Sequence, residues 1–411
     1  MRIVPQIKWN MLSKNSVIKR HYFDWAASAP CEAHCTDAPF GNPSSLHSEG
    51  RAAKQALEDA RRRCAAALNV PPKTLYFTSG GTESNSIALF SSLTRKGSGR
   101  IISSLAEHSS VREGMETLEK TGKPVGKIAV DSNGRVTVQT LTKALEQYGD
   151  VRFISVMSVN NETGAVTDIT SLRNVIRSQT GAPIHFHCDI VQAAGKIPVD
   201  ITGWDIDSAS ISAHKIGGPR GIGLLYLRRP MEIFYSGGGQ EKGIRGGTEN
   251  TGGAASLASC LEKHCMQTRN EKLETSGERL AANSAQMEQY DCAKSRWKSL
   301  IAGLSGMERC TLIPGGRALP ESQDNFSPYI LQAAFKDVPG EVMARALDDL
   351  GFAVSTGSAC SSSSPERPVL LAMGVEERLR IEGIRISQGW STTNEEIYLL
   401  LEAIAEVLKF L

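Results

Sequence analysis

The chain has 411 residues, enough for two or three domains and a large buried core. Its 46 basic and 44 acidic residues nearly balance, which argues against nucleic acid or an anionic membrane as a general partner. No stretch approaches the length of a membrane-spanning apolar helix, and nine cysteines, an odd number, favour a reducing compartment over a disulfide framework.

The first 21 residues are basic and contain no acidic residue. They are poor in arginine and serine for a transit peptide, and they lack the apolar region of a secretory signal. We therefore predict a frayed or loosely docked tail over residues 1–21 and a cytoplasmic protein. A targeting segment is the alternative.

Strands and helices alternate from Tyr22 onward. After a helix that begins near Leu46, the pattern predicts strands at 73–77, 100–103, 127–130, 152–159, 183–189, 206–212 and 223–227. Helices separate most of these strands, which predicts a large α/β domain over 22–250 with a mostly parallel sheet covered on both faces.

The pattern changes beyond Thr251. A long polar helical region runs to about Leu300, and predicted strands at 330–335, 354 and 383–387 then alternate with helices at 341–350 and 395–411. We predict a smaller α+β domain over 251–411, with the N-terminal segment that follows the tail packing on it.

A glycine turn between a strand and a helix offers an anion site. The strand ending at Phe77 runs into Gly80 and Gly81, after which a helix starts. Backbone N–H groups at that helix N-terminus, together with the Ser79 and Thr82 hydroxyls, suit a phosphate. An ordinary glycine-rich turn with a threonine cap explains the pattern equally well.

Lys215 lies between the end of a predicted strand at Ser212 and a glycine-rich turn. An amine at the mouth of a tight turn can be held desolvated with a lowered pKa. Such an amine can attack a carbonyl and form the Schiff base that attaches pyridoxal phosphate to its enzymes. A surface lysine beside a turn is the alternative.

Three polar residues alternate along one face of the predicted strand 183–189, namely His185, His187 and Asp189. A metal site is one interpretation. We favour a carboxylate at Asp189 that keeps a pyridinium nitrogen protonated, so that the ring can accept electrons from a substrate's α-carbon. Ligands of parallel sheets bind at the carboxyl ends of the strands, where His108, Asn161, Asp189 and Lys215 are all predicted.

Two further residues could carry chemistry. Cys360 lies in a loop of small residues, where a thiol can deprotonate and move, although an incidental exposed cysteine is the alternative. Arg385 alternates with two isoleucines on a strand, so it can bind a carboxylate with two parallel hydrogen bonds, and a surface salt bridge is the alternative.

Together these motifs resemble the cysteine desulfurases, the NifS/IscS-like members of the class V (fold type I) aminotransferase family of pyridoxal-phosphate enzymes. The resemblance runs through most of the chain in the family's order. The matching blocks are residues 22–24, 41–44, 78–84, 107–108, 159–164, 187–192, 212–215, 237–241, 245–248, 355–360 and 384–387.

The resemblance implies roles at the reacting centre. Lys215 would hold pyridoxal 5'-phosphate and move protons at the substrate's α-carbon. Asp189 would pair with the ring nitrogen, Gln192 with the ring hydroxyl, and His108 would stack on the ring. Cys360 would attack the sulfur of L-cysteine, leaving L-alanine and an enzyme persulfide.

The remaining implied roles concern the phosphate and the carboxylate. Asn161 would contact the cofactor and, with Arg385, hold the substrate carboxylate. The phosphate would be bound by residues of one subunit and by a threonine from the second subunit of a homodimer. These residues are Gly81, Thr82, Ser212 and His214, and Thr248 of the other subunit.

The implied function is a cysteine desulfurase that passes sulfur to an acceptor or iron–sulfur scaffold protein, for cluster assembly or thiolation. The alternatives are a selenocysteine lyase or another class V enzyme and, less favoured, a non-catalytic interaction subunit. No metal ion, membrane or direct nucleic-acid contact is expected.

The chain departs from the family's pattern at a few places. Gly81 replaces an alanine common in the phosphate turn, and Gln240 stands where a histidine is frequent. The segment between Pro30 and Phe40 is about ten residues shorter than usual, which predicts the loss of a first helix. The short segment and the absence of an extended C-terminal tail leave the acceptor protein open.

Overall fold

The computed structural model describes residues 19–32, 38–94, 99–235, 237–265, 277–357 and 367–411, without the side chains of 277–283 and 323. Cys360 and most of the basic tail lie outside the described residues.

A seven-stranded sheet forms the centre of the molecule. Its strands, in spatial order, are β2 (Leu75–Thr78), β8 (Gly223–Leu227), β7 (Ser208–Ser212), β6 (His185–Asp189), β5 (Val151–Met157), β3 (Arg100–Ser104) and β4 (Val125–Ile128). Only β8 is antiparallel to its neighbours in this sheet. Because β8 is inverted, β2 and β7 run in the same direction, and six strands end at one edge of the sheet. The predicted α/β fold with a mostly parallel sheet is confirmed.

Helices cover both faces of this sheet. The helices around it are α1 (Ser48–Leu68), α2 (Gly81–Phe90), α3 (Ser109–Lys120), α4 (Val138–Tyr148), α5 (Ile169–Arg177) and α6 (Thr251–His264). Successive strand residues face opposite sides. Phe153 packs in the core that contains α2 and α3, whereas Ile154 packs in the larger core that contains the other four helices.

A second, antiparallel sheet lies in the C-terminal part, in the order β12 (Gly383–Ser387), β10 (Ile330–Phe335) and β9 (Cys310–Ile313). The strand β1 (His21–Tyr22) pairs with β11 (Phe352–Ala353). The other elements are α7 (Gly277–Ser305), α8 (Gly340–Asp349), α9 (Pro368–Ala372), α10 (Glu377–Glu382) and α11 (Asn394–Phe410). Within the described ranges, no helix has the length and apolar character needed to cross a membrane.

The segment that contains Phe23 and the C-terminal helix α11 pack in one core. Phe23 is buried among apolar residues of β10, β12 and α11. Helix α6, in contrast, packs in the large core beneath the seven-stranded sheet. The division of the chain into domains at residue 251 stays a prediction.

Some element boundaries differ from the predicted ones for local reasons. The strand predicted at 73–77 begins at Leu75, because Pro72–Thr74 forms a 3-10 turn in which the Thr74 hydroxyl donates to the Pro71 carbonyl. The strand predicted at 127–130 ends at Ile128, shortly before a turn in which Asp131 accepts from the backbone N–H of Arg135. Within the described residues, the polar helical region contains α6 and α7.

Candidate active site

The strand ends surround a cavity of about 440 Å³. Its wall contains every sequence-predicted site residue of the described ranges except Thr248. These residues are Gly81, Thr82, His108, Asn161, Asp189, Gln192, Ser212, His214, Lys215 and Arg385. Thr248 is exposed and lies just before α6. Cys360, the remaining predicted site residue, is outside the described part of the chain.

A glycine in β8 allows two loops of the site to approach each other. Gly223 pairs with Thr78 on one side and with Ser212 on the other. A Cβ atom at Gly223 would lie 2.6 Å from Gly80 Cα and 2.6 Å from the Ile211 carbonyl oxygen. The absence of a side chain therefore lets the turn at Gly80 and the end of β7 pack closely against the start of β8, which lies between them.

The glycine turn after β2 begins α2. Gly80 has φ 152° and ψ −176°, a conformation open essentially to glycine, and the helix starts at Gly81. The first N–H groups of the helix therefore border the cavity. A Cβ atom at Gly81 would lie 2.7 Å from Val191 Cγ2, so an alanine at this position would require the Val191 side chain to shift.

Lys215 ends a 3-10 turn that follows β7. Its Nζ donates to the carbonyls of Ala26 at 2.6 Å and Ala27 at 2.8 Å. Burial, reinforced by the charge of Lys215, lowers the pKa of His214 to about 4. His214 is therefore neutral at pH 7, with its Nδ1 3.3 Å from the Ser28 hydroxyl.

Asp189 is buried at the end of β6 and accepts two hydrogen bonds. The Val191 N–H donates to Oδ1 at 2.9 Å, and the Asn85 amide donates to Oδ2 at 2.8 Å. The neighbouring His185 and His187 both contact the Ser208 hydroxyl at 2.8 Å. In the described ranges, no group of three or more His, Cys, Asp or Glu side chains could hold a metal ion.

Asn85 determines the arrangement of polar groups behind Asp189. A carboxylate only accepts, so the Asn85 nitrogen faces Asp189 and its oxygen faces His187 Nε2 at 2.9 Å. His187 Nε2 therefore carries the proton. Burial lowers the pKa of His187 to about 3, so the ring is neutral and its Nδ1 accepts from the Ser208 hydroxyl.

The same amide reaches His108. Asn85 Nδ2 also donates to the Ser110 hydroxyl at 2.9 Å, and Ser110 contacts His108 Nδ1 through its hydroxyl at 2.9 Å and its N–H at 3.1 Å. Because Nδ1 accepts from that N–H, the proton of the neutral His108 ring is on Nε2. Burial lowers the pKa of His108, although the charge of Asp189 opposes the shift.

The sequence pattern assigns no role to Asn85. The one available signal was its position one helical turn after Gly81, on the face of α2 that borders the cavity.

Arg385 is 1% exposed and belongs to the cavity wall. Its Nη1 donates to the Asn161 carbonyl at 3.0 Å, and its Nη2 donates to Asp24 Oδ1 at 2.8 Å. The pair with Asp24 is a part-buried contact, with the Asp24 side chain 23% exposed, rather than a fully exposed surface salt bridge. Asn161 Oδ1 is buried and has no hydrogen-bond partner among the described residues.

The residues present fit pyridoxal phosphate. The helix N-terminus suits its phosphate, the Asp189 carboxylate its ring nitrogen, and the Lys215 amine its aldehyde. The unpartnered Asn161 Oδ1 in the cavity wall is an acceptor left over for a ligand.

The chain preceding Cys360 is attached to this site. Ser355 and Arg385 exchange backbone hydrogen bonds of 3.1 and 2.5 Å. The last described residue of that segment, Gly357, would place a Cβ atom 3.7 Å from Glu162 Oε2, next in the chain to Asn161.

Comparisons with known proteins agree with this geometry. A family described as aminotransferase class-V matches residues 22–400. The chain is 35% identical over 402 residues to "Cysteine desulfurase IscS" of Shewanella sediminis (strain HAW-EB3), with 93% of this chain and 91% of that protein covered. It is 35% identical over 430 residues to "Cysteine desulfurase, mitochondrial" of Eremothecium gossypii, with 98% and 81% covered.

A solved structure titled "NIFS-LIKE PROTEIN" matches with a TM-score of 0.82 and 31% identity, over 95% of this chain and all of that chain. The resemblance and the fold class predicted from the sequence are confirmed.

Glu107 is a buried carboxyl group whose protonation should make the stability of the fold depend on pH. It is fully buried, and its Oε1 accepts from the Met157 N–H at 2.7 Å. Burial, and then the negative charge of Asp189, raise the pKa of Glu107 to about 8 from a usual value of 4.5. Glu107 is therefore largely protonated at neutral pH.

A carboxyl group whose pKa is raised in the folded state stabilises the fold below its unfolded pKa and loses that contribution as the pH rises through the folded pKa. We expect the free energy of unfolding to fall between about pH 4.5 and 8, by at most about 5 kcal/mol. Glu107→Gln, which mimics the protonated acid, should flatten this loss in urea unfolding measured across that range. An unchanged pH profile in the variant would contradict a protonated Glu107.

Proposed function

The chain belongs to the class-V aminotransferase family, and on that premise we propose how its residues divide the work of a cysteine desulfurase. Relatives with that activity in their names are 35% identical over 93% of the chain. The chain is a pyridoxal-phosphate-dependent cysteine desulfurase, which releases sulfur from L-cysteine and forms L-alanine. The selenocysteine lyase alternative is not favoured.

The observation that carries this function is the meeting of Lys215, Asp189 and the N-terminus of α2 in one cavity. When bound, pyridoxal phosphate supplies an electron sink for the substrate's α-carbon. We assign its covalent attachment to Lys215, its phosphate to Gly81, Thr82, Ser212 and His214, its ring hydroxyl to Gln192, and one face of its ring to His108, with a further contact from Asn161.

Asp189 keeps a negative charge opposite the ring nitrogen. Donors from Val191 and Asn85 stabilise the ionised carboxylate. Glu107, buried nearby, holds its own proton at neutral pH, because burial and the charge of Asp189 raise its pKa to about 8.

Lys215 moves protons at the substrate. Its amine points to the Ala26 and Ala27 carbonyls, which orient it from one side of the cavity. We assign to this amine the removal of the proton from the α-carbon of L-cysteine and the return of protons as alanine forms.

Arg385 and Asn161 bind the substrate carboxylate. Asp24 and the Asn161 carbonyl hold the guanidinium in a fixed orientation inside the wall. A carboxylate that meets this preoriented fork needs no rearrangement of the side chain.

Cys360 transfers the sulfur. Its thiolate attacks the sulfur of the substrate, the Cβ–S bond breaks with its electron pair left on carbon, and a proton completes the methyl group of alanine. The enzyme sulfur is thereby oxidised to a persulfide and the β-carbon is reduced. Cys360 follows Gly357 by three residues, within about 11 Å of chain, and Gly357 follows the segment that pairs with Arg385.

The site is completed by a second copy of the chain. Thr248 is exposed in the structure, and the preceding Gly247 N–H donates to Gln240 Oε1 at 3.1 Å. Gln240, which stands where the family often has histidine, thus orients the residue beside Thr248. We assign Thr248 to the phosphate of the partner subunit in a homodimer.

The persulfide needs an acceptor, which we propose to be a protein thiol or a scaffold for iron–sulfur clusters. We also propose a cytoplasmic location. Nine cysteines, an odd number in a chain of this length, favour a reducing compartment over a disulfide framework. One relative carries "mitochondrial" in its name, so a targeting role of the basic residues remains the alternative.

Removing the thiol of Cys360 should separate cofactor binding from sulfur transfer. We expect Cys360→Ala to keep the visible absorbance of the lysine-bound cofactor and to lose sulfide release from L-cysteine by at least about 100-fold, because no nucleophile remains for the sulfur. Cys292→Ala, at an exposed cysteine of α7, is the matched control. Retained sulfide release in Cys360→Ala would exclude the assigned role.

Arg385→Lys should weaken substrate binding. Lysine keeps the charge but cannot make two parallel hydrogen bonds, so we expect kcat/KM for L-cysteine to fall about 10–100-fold. Arg62→Lys, at an exposed arginine, should leave the steady-state kinetics unchanged. Equal kcat/KM in Arg385→Lys and the wild type would contradict the carboxylate assignment.

We expect the protein to be a homodimer, so sedimentation equilibrium should give a mass twice that of one chain. We expect Thr248→Val to weaken cofactor binding by about 10-fold without dissociating the dimer, since one charge-assisted hydrogen bond to the phosphate is lost. Thr311→Val, on an exposed position of β9, is the control. A monomer with full cofactor affinity would rule out the shared site.

A further inference from the structure

Lys196 is a buried amine to which neither the motifs nor the proposed reaction gives a role. It is 1% exposed, and its Nζ donates to Gln192 Oε1 at 2.5 Å. Among the described residues, no carboxylate lies within ion-pair distance of it. Burying an amine without an acidic partner is costly, so its retention calls for a compensating contact.

The two charges that shift the pKa of Lys196, those of Lys215 and Arg385, are positive. Burial, and then the charges of Lys215 and Arg385, lower its pKa well below the usual range. An amine donates hydrogen bonds in its charged and in its neutral form. Its contact with Gln192 therefore does not require the ammonium.

Local backbone geometry places Lys196 behind Gln192. The turns after β6 have helical hydrogen bonds, including Ala194 N–H to the Ile190 carbonyl at 2.9 Å and Ile197 N–H to the Ala193 carbonyl at 3.0 Å. Two residues four apart in such a segment lie on the same side. Gln192 belongs to the cavity wall, whereas Lys196 contacts it from within the protein.

Two contacts orient the Gln192 amide. Its Nε2 donates to the Ala26 carbonyl at 2.9 Å, which can only accept, and its Oε1 accepts from Lys196. One Nε2 hydrogen remains for a group in the cavity. The Ala26 carbonyl also accepts from Lys215 at 2.6 Å, so this amide and the attaching lysine share one anchor.

We propose that Lys196 is a positioning residue, which holds the Gln192 amide so that it presents an N–H donor to the ring hydroxyl oxygen of pyridoxal phosphate and favours the deprotonated form of that hydroxyl. This inference rests on the proposed function, since the pairing of Gln192 with the ring hydroxyl is assigned there. Without Lys196, the buried Gln192 oxygen loses its donor, and the amide no longer has a single preferred orientation.

The test uses Lys196→Met, which keeps most of the length of the side chain but removes the N–H donor. We expect the dissociation constant of pyridoxal phosphate, measured by fluorescence titration of the apoenzyme, to rise about 10-fold. An N–H donor withdraws electron density from the ring oxygen. Its loss should therefore move the spectral titration of the lysine-bound cofactor to higher pH, by about 0.5–1 unit.

A double-mutant cycle separates positioning from a structural role. In a Gln192→Leu background, Lys196→Met should cause no further change in affinity or in the spectral titration, because its effect passes through the amide. Lys409→Met, at an exposed lysine of α11, controls for the loss of charge. Wild-type affinity and titration in Lys196→Met, or equal effects in both backgrounds, would overturn the proposal.

Gln192→Glu provides a test that keeps Lys196 in place, in case Lys196→Met does not fold. The carboxylate can pair with the Lys196 amine but offers no N–H to the cavity, so the spectral titration should again move to higher pH. An unchanged titration in this variant would overturn the proposal. A wild-type protein that shows no lysine-bound cofactor would instead contradict the proposed function itself.

Discussion

The hydrogen bond between the Asn85 amide and the Asp189 carboxylate determines how the neighbouring polar side chains of the site are oriented. Because Asp189 can only accept, the orientation of Asn85 is determined, and with it the proton positions on His187 and, through Ser110, on His108. The residue assigned to the ring nitrogen and the residue assigned to the ring face are thus coupled through one side chain of α2. A buried network of this kind is stable only when every member is satisfied.

Two reactive groups in the cavity wall each have a buried counterpart of the same chemical type. Asp189 is accompanied by Glu107, whose pKa is raised to about 8, and Lys215 by Lys196, whose pKa is lowered well below the usual range. In each pair, burial shifts the pKa of the inner member in the direction that favours its neutral form.

Much of the site could be predicted from the sequence, because strand ends in a parallel sheet converge. His108, Asn161, Asp189 and Lys215 each follow such an end, and the structure brings all four to one cavity. Asn85 could not be assigned from the pattern, since its partner Asp189 lies 104 positions away along the chain. The roles of Lys196 and Glu107 could not be predicted for a related reason, because only the packed structure shows that they are buried. The roles of Thr248 and Cys360 stay predictions, one dependent on a second subunit and the other outside the described residues.

Above all, we propose that Lys215 carries the cofactor opposite Asp189. Reduction of the holoenzyme with borohydride would convert the lysine linkage into a stable secondary amine, and mass spectrometry of the digested protein would then locate it. We predict a pyridoxyl modification on the peptide that contains Lys215 and on no other. An unmodified Lys215, or a modification at Lys196 instead, would contradict the account.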